Sequence, residues 1–151
     1  MTIDVYIIIM KIKNIILTGS EGLIGKSYRT FAENKGYTVF CIDKKRLTRK
    51  NYFYCDITKE KHVSKTIGSI FKKTHVSLLI NNAATNPSAD NKLEGFKFSE
   101  YNFENWKKNL EVDLNGSFLV SKYVLKYFEQ QNQGTILNIS SKSLLKGFIK
   151  S

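Results

Sequence analysis

The sequence predicts an α/β fold in which helices cover both faces of a doubly wound parallel sheet. Two observations support this prediction. Short apolar runs rich in β-branched residues alternate along the chain with longer amphipathic segments, as strands alternate with helices. The short runs are apolar throughout, which is typical of parallel strands that are buried on both faces. Right-handed crossovers between such strands build an open sheet with three layers, α/β/α.

Five strands and three helices are expected from these patterns. The strands are predicted at residues 12–18, 37–42, 52–55, 76–80 and 135–140. The helices are predicted at residues 22–34, 58–73 and 103–131, where apolar residues recur at helical spacing. Four residues of the first helix are expected to face the core: Leu23, Tyr28, Phe31 and Ala32. The polar stretch 85–98, which contains the only proline, is predicted to be a loop.

Length and composition indicate one globular domain. The chain has 151 residues, of which 42% are hydrophobic and 13% aromatic, so it can build a core and is too apolar for a disordered segment. No apolar run approaches the ~20 residues that a membrane span requires, and the first residues lack the pattern of a secretory signal. We therefore expect a cytoplasmic protein without a membrane partner. Cys41 and Cys55 lack metal-ligand spacing, so no metal site is expected.

The formal net charge of +11 suggests a nucleic-acid partner, but the distribution of the charge argues against one. Only three basic residues are arginine, the type that phosphate- and base-binding surfaces favour: Arg29, Arg46 and Arg49. The lysines are spread along the chain, mostly singly or in pairs. This distribution favours a lysine-rich surface over a nucleic-acid-binding one.

A glycine-rich segment, residues 18–25, follows the first predicted strand, and two phosphate-binding motifs compete for it. Residues 25–27 match the Gly-Lys-Ser end of the phosphate-binding loop of nucleotide hydrolases. That loop requires its first glycine at position 20, which is a serine here, so Gly19 misses the required spacing by one residue. A dinucleotide-binding loop fits better. Gly19 allows a tight turn after the strand, Gly22 lets a pyrophosphate approach the N-terminus of the helix, and Gly25 lets that helix pack against the strand.

An acidic residue, Asp43, ends the second predicted strand. A carboxylate at this position can accept hydrogen bonds from the hydroxyls of the adenosine ribose and repel a 2′-phosphate. It therefore favours NAD over NADP as the cofactor. NADP stays the alternative, because Lys44, Lys45 and Arg46 follow directly and could bind a 2′-phosphate.

Several further segments complete a resemblance to the short-chain dehydrogenase/reductase family, which extends from about residue 11 to residue 141. The matching segments are residues 18–25, 55–58, 81–84, Trp106 with residues 114–118, and residues 138–141. The resemblance implies a Rossmann-like sheet of strand order 3-2-1-4-5 that is incomplete at its C-terminal side. It implies a partial NAD(P)-binding domain at residues 11–151, preceded by an optional extension at residues 1–10.

The resemblance also implies which residues bind the cofactor. In the family, the acid after the third strand hydrogen-bonds the adenine and the following aliphatic residue packs near its ring. Small residues after the fourth strand let the cofactor lie close to the backbone. The positions that match are Thr18, Gly19, Ser20, Gly22, Leu23, Ile24, Gly25, Asp43, Asp56, Ile57, Asn82, Ala83 and Ala84.

The family transfers hydride between the nicotinamide and an alcohol or carbonyl carbon, with a tyrosine as general acid and base. Ser141 matches the serine that hydrogen-bonds the substrate oxygen. Asp113 stands where the family usually carries an asparagine that holds a relay water, and an ionised carboxylate cannot donate a hydrogen bond to it. The Tyr-x-x-x-Lys pair is expected beyond Ser151, so we expect the isolated chain to lack dehydrogenase activity.

The sequence therefore favours an NAD(P)-dependent oxidoreductase of this type, with NAD as the cofactor. Its substrate would be a small alcohol or carbonyl compound, with sugar derivatives among the candidates. The long third helix resembles the dimer face of the family, so a homo-oligomer is expected for a complete version. Two alternatives are a non-catalytic dinucleotide-binding module and, with less support, a nucleic-acid-binding protein.

Overall fold

The structure is a computed structural model that describes residues 13–85, 99 and 101–140. In chain order the strands are β1 (Asn14–Thr18), β2 (Thr38–Asp43), β3 (Tyr52–Tyr54), β4 (Leu78–Asn81) and β5 (Thr135–Asn138). The helices are α1 (Leu23–Asn34), α2 (Glu60–Phe71), α3 (Phe103–Leu110) and α4 (Ser117–Gln130). A π-helical segment, Glu111–Gly116, joins α3 to α4. The predicted extension, residues 1–10, most of the predicted loop and Ser141 lie outside the described residues.

The five strands form one sheet in the order β3-β2-β1-β4-β5, and every neighbouring pair is parallel. The predicted fold class and strand order are therefore confirmed. Because all strands run the same way, their carboxyl ends meet at one edge of the sheet, where Thr18 pairs with Ile42 and Asn81 with Asn138. In open α/β sheets, ligands bind outside this edge, near the strand from which the chain winds in opposite directions. Here that strand is β1, between β2 and β4.

Two apolar cores lie on opposite faces of the sheet. The larger core packs the sheet against α2 and α4, and the rings of Phe71 and Tyr127 stack there with centroids 4.3 Å apart. The smaller core lies under α1, which contributes Ala32 to it. Cys41 and Cys55 are free and buried, one in each core, as expected of reduced thiols.

The predicted inward face of α1 is wrong for three of its four residues. Ala32 is buried, whereas the side chains of Leu23, Tyr28 and Phe31 are exposed. The buried positions of α1 are Gly25 and Ala32, seven residues and about two turns apart. A Cβ atom on Gly25 would lie 2.1 Å from the carbonyl oxygen of Gly19, so the start of the helix is too close to β1 for a larger residue.

The long third helix is continuous but not uniform. Its middle turn adopts the wider π-helical form between Glu111 and Gly116, a local change that the helical periodicity does not predict. Gly116 is buried against Ile57, and a Cβ atom there would lie 2.7 Å from the Ile57 side chain. Four apolar residues along the outer side of this helix are exposed: Trp106, Leu110, Leu114 and Phe118.

Within the described residues, none of the helices is long and apolar enough to cross a membrane.

Candidate functional site

The glycine-rich segment lies at the carboxyl edge of the sheet, directly after β1. Gly19 has φ +64°, a left-handed conformation that glycine adopts without strain. The N–H of Gly22 donates to the carbonyl oxygen of Gly19 at 3.1 Å, which closes the turn into α1. Among the residues that the structure describes, no side chain caps the N-terminus of α1. The first N–H groups of this helix are therefore available to an anion, which the helix dipole also favours.

Two of the three glycines are required by close contacts. A Cβ atom on Gly19 would lie 2.6 Å from the Cα atom of Ala83, and one on Gly25 would lie 2.9 Å from the carbonyl carbon of Gly19. Gly22 is less crowded, since the nearest atom to such a Cβ is the Gly19 oxygen at 3.3 Å. Packing therefore explains Gly19 and Gly25 most strongly, while Gly22 has only one tight contact, with the Gly19 oxygen.

The segment after β4 is tied to the glycine-rich segment by hydrogen bonds. The hydroxyl of Thr18 accepts from the N–H groups of Asn82 and Ala83, at 3.0 and 3.1 Å. The Asn82 amide donates to the carbonyl oxygens of Thr18 and Gly19, at 3.1 and 3.2 Å. These bonds fix the two segments against each other. The sequence predicts cofactor contact for these residues, but it does not predict the hydrogen bonds between the two segments.

Asp43 lies beside the glycine-rich segment and is 9% exposed. One of its carboxylate oxygens accepts from the N–H of Glu21 at 2.9 Å, and the other from the N–H of Lys45 at 3.0 Å. Each carboxylate oxygen can accept a second hydrogen bond. The carboxylate is therefore held in one orientation and can still accept from the hydroxyls of a ribose.

The buried carboxylate of Glu21 was not singled out by the sequence. Glu21 is 8% exposed, and its Oε1 atom accepts from Arg29 at 2.8 Å and from Arg49 at 2.9 Å. Burial, the largest single influence, lowers the pKa of Arg49, but the hydrogen bond to Glu21 and the further interactions with Glu21 and Cys41 together outweigh it, and the net pKa is raised. The two arginines come from α1 and from the segment between β2 and β3, so no local sequence pattern indicates that they meet.

The predicted adenine contacts occupy two different environments. Asp56 accepts hydrogen bonds from the N–H and the hydroxyl of Thr58, at 3.0 and 2.8 Å. Burial raises the pKa of Asp56, but the bonds from Thr58 and the positive charges nearby together lower it by more, and the net pKa is below its usual value. Ile57 is buried in the larger core against Gly116. The remaining predicted contacts are buried at Ser20 and exposed at Leu23, Ile24 and Ala84.

Asp113 lies in the π-helical segment and holds the chain just after β4. Its Oδ1 atom accepts from the N–H of Thr85 at 2.7 Å and lies 3.1 Å from the hydroxyl of the same residue. The amide of Asn109 donates to the hydroxyl of Tyr101 at 2.6 Å. A cavity of about 280 Å³ is lined by Tyr101, Trp106, Asn109, Leu110 and Asp113. Ser141, the other predicted catalytic residue, lies outside the described residues.

The geometry of this edge fits a dinucleotide. The uncapped N-terminus of α1 suits a pyrophosphate, and the fixed carboxylate of Asp43 suits the hydroxyls of a ribose. The exposed side chains of Leu23 and Ile24 offer apolar surface beside that N-terminus. Within the described residues, no group of three or more His, Cys, Asp or Glu side chains could hold a metal ion.

Comparison with known proteins agrees with this geometry. A family model described as short chain dehydrogenase matches residues 13–151. An uncharacterized oxidoreductase of Thermotoga maritima is 26% identical over 150 residues, which span 89% of this chain and 56% of that protein. The chain spans 50–60% of the length of this and other curated relatives.

Two solved structures share the fold along most of this chain. The structure of ElxO with NADP bound superposes with a TM-score of 0.79 and 26% identity, over 90% of this chain and 58% of ElxO. The ligand-free aldohexose dehydrogenase of Thermoplasma acidophilum superposes with a TM-score of 0.73 and 25% identity, over 87% of this chain and 50% of that protein. Taken with the match of the family model, these similarities show that the chain belongs to the short-chain dehydrogenase family.

Proposed function

We propose that this chain forms the dinucleotide-binding part of an NAD(P)-dependent oxidoreductase that transfers hydride between a nicotinamide and an alcohol or carbonyl carbon. The observation that supports this most is the arrangement of the glycine-rich segment. Gly19 turns the chain after β1, Gly25 brings α1 close to the sheet, and the uncapped N-terminus of α1 faces the edge where ligands bind. When bound, the nicotinamide supplies the hydride acceptor or donor.

Each part of the site has one task in this proposal. The N–H groups at the start of α1 bind the pyrophosphate, and Gly22 leaves space for its approach. Asp43 orients the adenosine ribose, and Asp56 binds the adenine. The bonds between Thr18 and Asn82 keep the glycine-rich segment from moving when the cofactor binds.

We propose NAD as the preferred cofactor. Two N–H donors fix the carboxylate of Asp43, so this side chain cannot rotate away from a 2′-phosphate. ElxO, which is similar in fold, was solved with NADP bound. Family membership alone therefore does not decide between the two cofactors, and the carboxylate of Asp43 is the feature that favours NAD.

The roles of Asp113 and Ser141 in the reaction are proposals as well. Asp113 can hold a water molecule only with the lone pairs that Thr85 leaves free.

The substrate we propose is a small alcohol or carbonyl compound. The similarity to an aldohexose dehydrogenase adds support for a sugar derivative. The exposed apolar residues of α3 and α4 support the proposal that the complete protein is a homo-oligomer.

Calorimetric titration of the purified chain with NAD⁺ and NADP⁺ tests the proposal. We expect NAD⁺ to bind, and Asp43→Ala to weaken its binding by about tenfold or more while sparing NADP⁺, since a hydrogen-bonded charge contributes about 1.5–3 kcal/mol. Glu104→Gln, which removes an exposed carboxylate on α3, is the matched control and should change neither affinity.

Two results would contradict the proposal in different ways. Equal losses for both cofactors in Asp43→Ala would refute the role of Asp43 at the ribose. No binding of either cofactor to the folded, unaltered chain would refute the dinucleotide site itself. Binding without turnover, in a protein extended through a Tyr-x-x-x-Lys pair, would favour the non-catalytic module instead.

A further inference from the structure

The carboxylate of Glu21 has no task in the dinucleotide site described above, yet it is buried and engages two arginines. Both guanidinium groups donate to the same oxygen, Oε1, at 2.8 and 2.9 Å. Buried carboxylates are rare unless paired, and here one carboxylate occupies two cations. Glu21 therefore neutralises part of the positive charge at the carboxyl edge of the sheet.

Glu21 also contacts the residue that faces the ribose. Its own N–H donates to Oδ2 of Asp43 at 2.9 Å, so the backbone of Glu21 lies against that carboxylate. A ribose 2′-oxygen held by Asp43 would therefore lie beside the backbone of Glu21, the residue whose side chain binds the two arginines. Arginine is the side chain best suited to a phosphate, because its planar group can donate two parallel hydrogen bonds.

Both arginines are held by further contacts. Arg49 lies over the ring of Tyr52, with its Cζ atom 5.0 Å from the ring centroid. The Tyr52 hydroxyl donates to the carbonyl oxygen of Lys45 at 2.6 Å, which fixes the segment after β2. Arg29 lies 4.0 Å from Glu33 on the next turn of α1. The arginine side chains are 17% and 33% exposed, so the pairs are only partly screened by solvent.

We propose that Glu21 determines cofactor specificity, because it occupies Arg29 and Arg49 and so prevents either of them from pairing with a 2′-phosphate. This inference rests on the proposed dinucleotide site. Asp43 repels the 2′-phosphate directly, whereas Glu21 acts through the arginines and is a positioning residue. Without the Glu21 charge, the two guanidinium groups would lose the acceptor that they share and could pair with a 2′-phosphate instead.

Two nucleotides that differ only in the 2′-phosphate test the inference by calorimetric titration. They are adenosine 5′-phosphate and adenosine 2′,5′-bisphosphate. The unaltered chain should bind the monophosphate more tightly. In Glu21→Gln, affinity for the bisphosphate should rise by about tenfold, the effect of a newly formed charge-assisted pair, while affinity for the monophosphate stays within about twofold.

Matched variants distinguish the release of the two arginines from Glu21 from the general effect of removing one negative charge. Glu33→Gln removes the same charge from the exposed partner of Arg29 and should leave the ratio of the two affinities unchanged. Adding Arg49→Met to Glu21→Gln should abolish most of the gain. A ratio in folded Glu21→Gln equal to that of the unaltered chain would overturn the inference and leave the proposed function intact.

Arg49→Met alone provides a test that does not depend on the folding of Glu21→Gln, because Arg29 still pairs with Glu21. Since Arg49 is already occupied, its removal should leave the ratio of affinities within about threefold of the original value. A selective loss of bisphosphate binding would show that Arg49 reaches the 2′-phosphate and would overturn the inference. Failure of the unaltered chain to bind adenosine 5′-phosphate and NAD⁺ would instead overturn the proposed function, and the inference with it.

Discussion

Two carboxylates of the candidate site, Asp43 and Asp113, hold neighbouring segments of the chain in different ways. Asp43 is 9% exposed and uses both oxygens, each for an N–H group of a different segment. Asp113 is exposed, and within the described residues it uses one oxygen for both contacts, which come from Thr85. In the part of the chain that the structure describes, the end of the site near Asp43 is therefore enclosed and held from several sides, while the end near Asp113 is exposed. Substitutions should be costly at the first end and mild at the second.

The largest effect is expected from Gly25→Ala at the enclosed end. The added Cβ atom would meet the backbone oxygen of Gly19 at 2.1 Å, so α1 would have to move away from β1. Overpacking of this kind costs about 1–3 kcal/mol, and we expect the upper end because the contact is with backbone. Urea denaturation measures the loss in the free energy of unfolding.

Gly22→Ala is the matched control for this substitution. Its Cβ atom would lie 3.3 Å from the same oxygen, so stability should change by less than about 1 kcal/mol, while NAD⁺ binding should weaken because the pyrophosphate approaches there. Equal losses of stability in the two variants would show that α1 does not depend on close packing at Gly25.

Two isosteric substitutions, one at each carboxylate, test whether the fold depends more on the hydrogen bonds of Asp43 than on those of Asp113. Asp43→Asn replaces one acceptor oxygen by an amide group that cannot accept from an N–H, so it should lower the free energy of unfolding by about 2 kcal/mol. Asp113→Asn keeps an oxygen for both contacts of Thr85, so it should cost less than about 0.5 kcal/mol. Thermal or urea unfolding of both variants checks the difference. If Asp113→Asn were the more damaging of the two, the comparison would be wrong.

A further prediction concerns the buried thiol of Cys55, which directly precedes Asp56. Burial raises the pKa of Cys55 from 9.0 to about 11, so the folded chain keeps a proton that the unfolded chain loses first. The free energy of unfolding should therefore fall as pH rises from 9 towards 11. Urea denaturation across this range measures the slope, and Cys55→Ala should reduce it. A slope that is unchanged in this variant would show that Cys55 is not its source.

Much of the fold could be predicted because its signals are local. The apolar runs of the five strands and the spacing of residues 18–25 each lie within a few neighbouring positions. The outward direction of Leu23 and Phe31 could not be predicted in this way, because it depends on how closely Gly25 brings α1 to β1. Helical periodicity alone favoured a core position for these apolar residues.

The residues of the candidate site also fall into those that local sequence patterns predict and those that they do not. Gly19, Gly25 and Asp43 follow from motif spacing, and the structure places them together at the carboxyl edge of the sheet. The pairing of Glu21 with Arg49 spans 28 positions, and the bond from Asn82 to Thr18 spans 64. Such contacts form only once the strands are ordered side by side. No spacing within one segment predicts them.

In the proposed function, the start of α1 and the carboxylate of Asp43 together bind a nicotinamide dinucleotide. Titration of the ¹⁵N-labelled chain with NAD⁺, followed by NMR, shows which N–H groups the cofactor contacts. We expect the largest shifts at the N–H signals of Gly22, Leu23 and Ile24, with a second group at Glu21 and Lys45, whose N–H groups bind Asp43. Shifts scattered over the exposed lysines, with the signals of residues 19–25 unmoved, would contradict it.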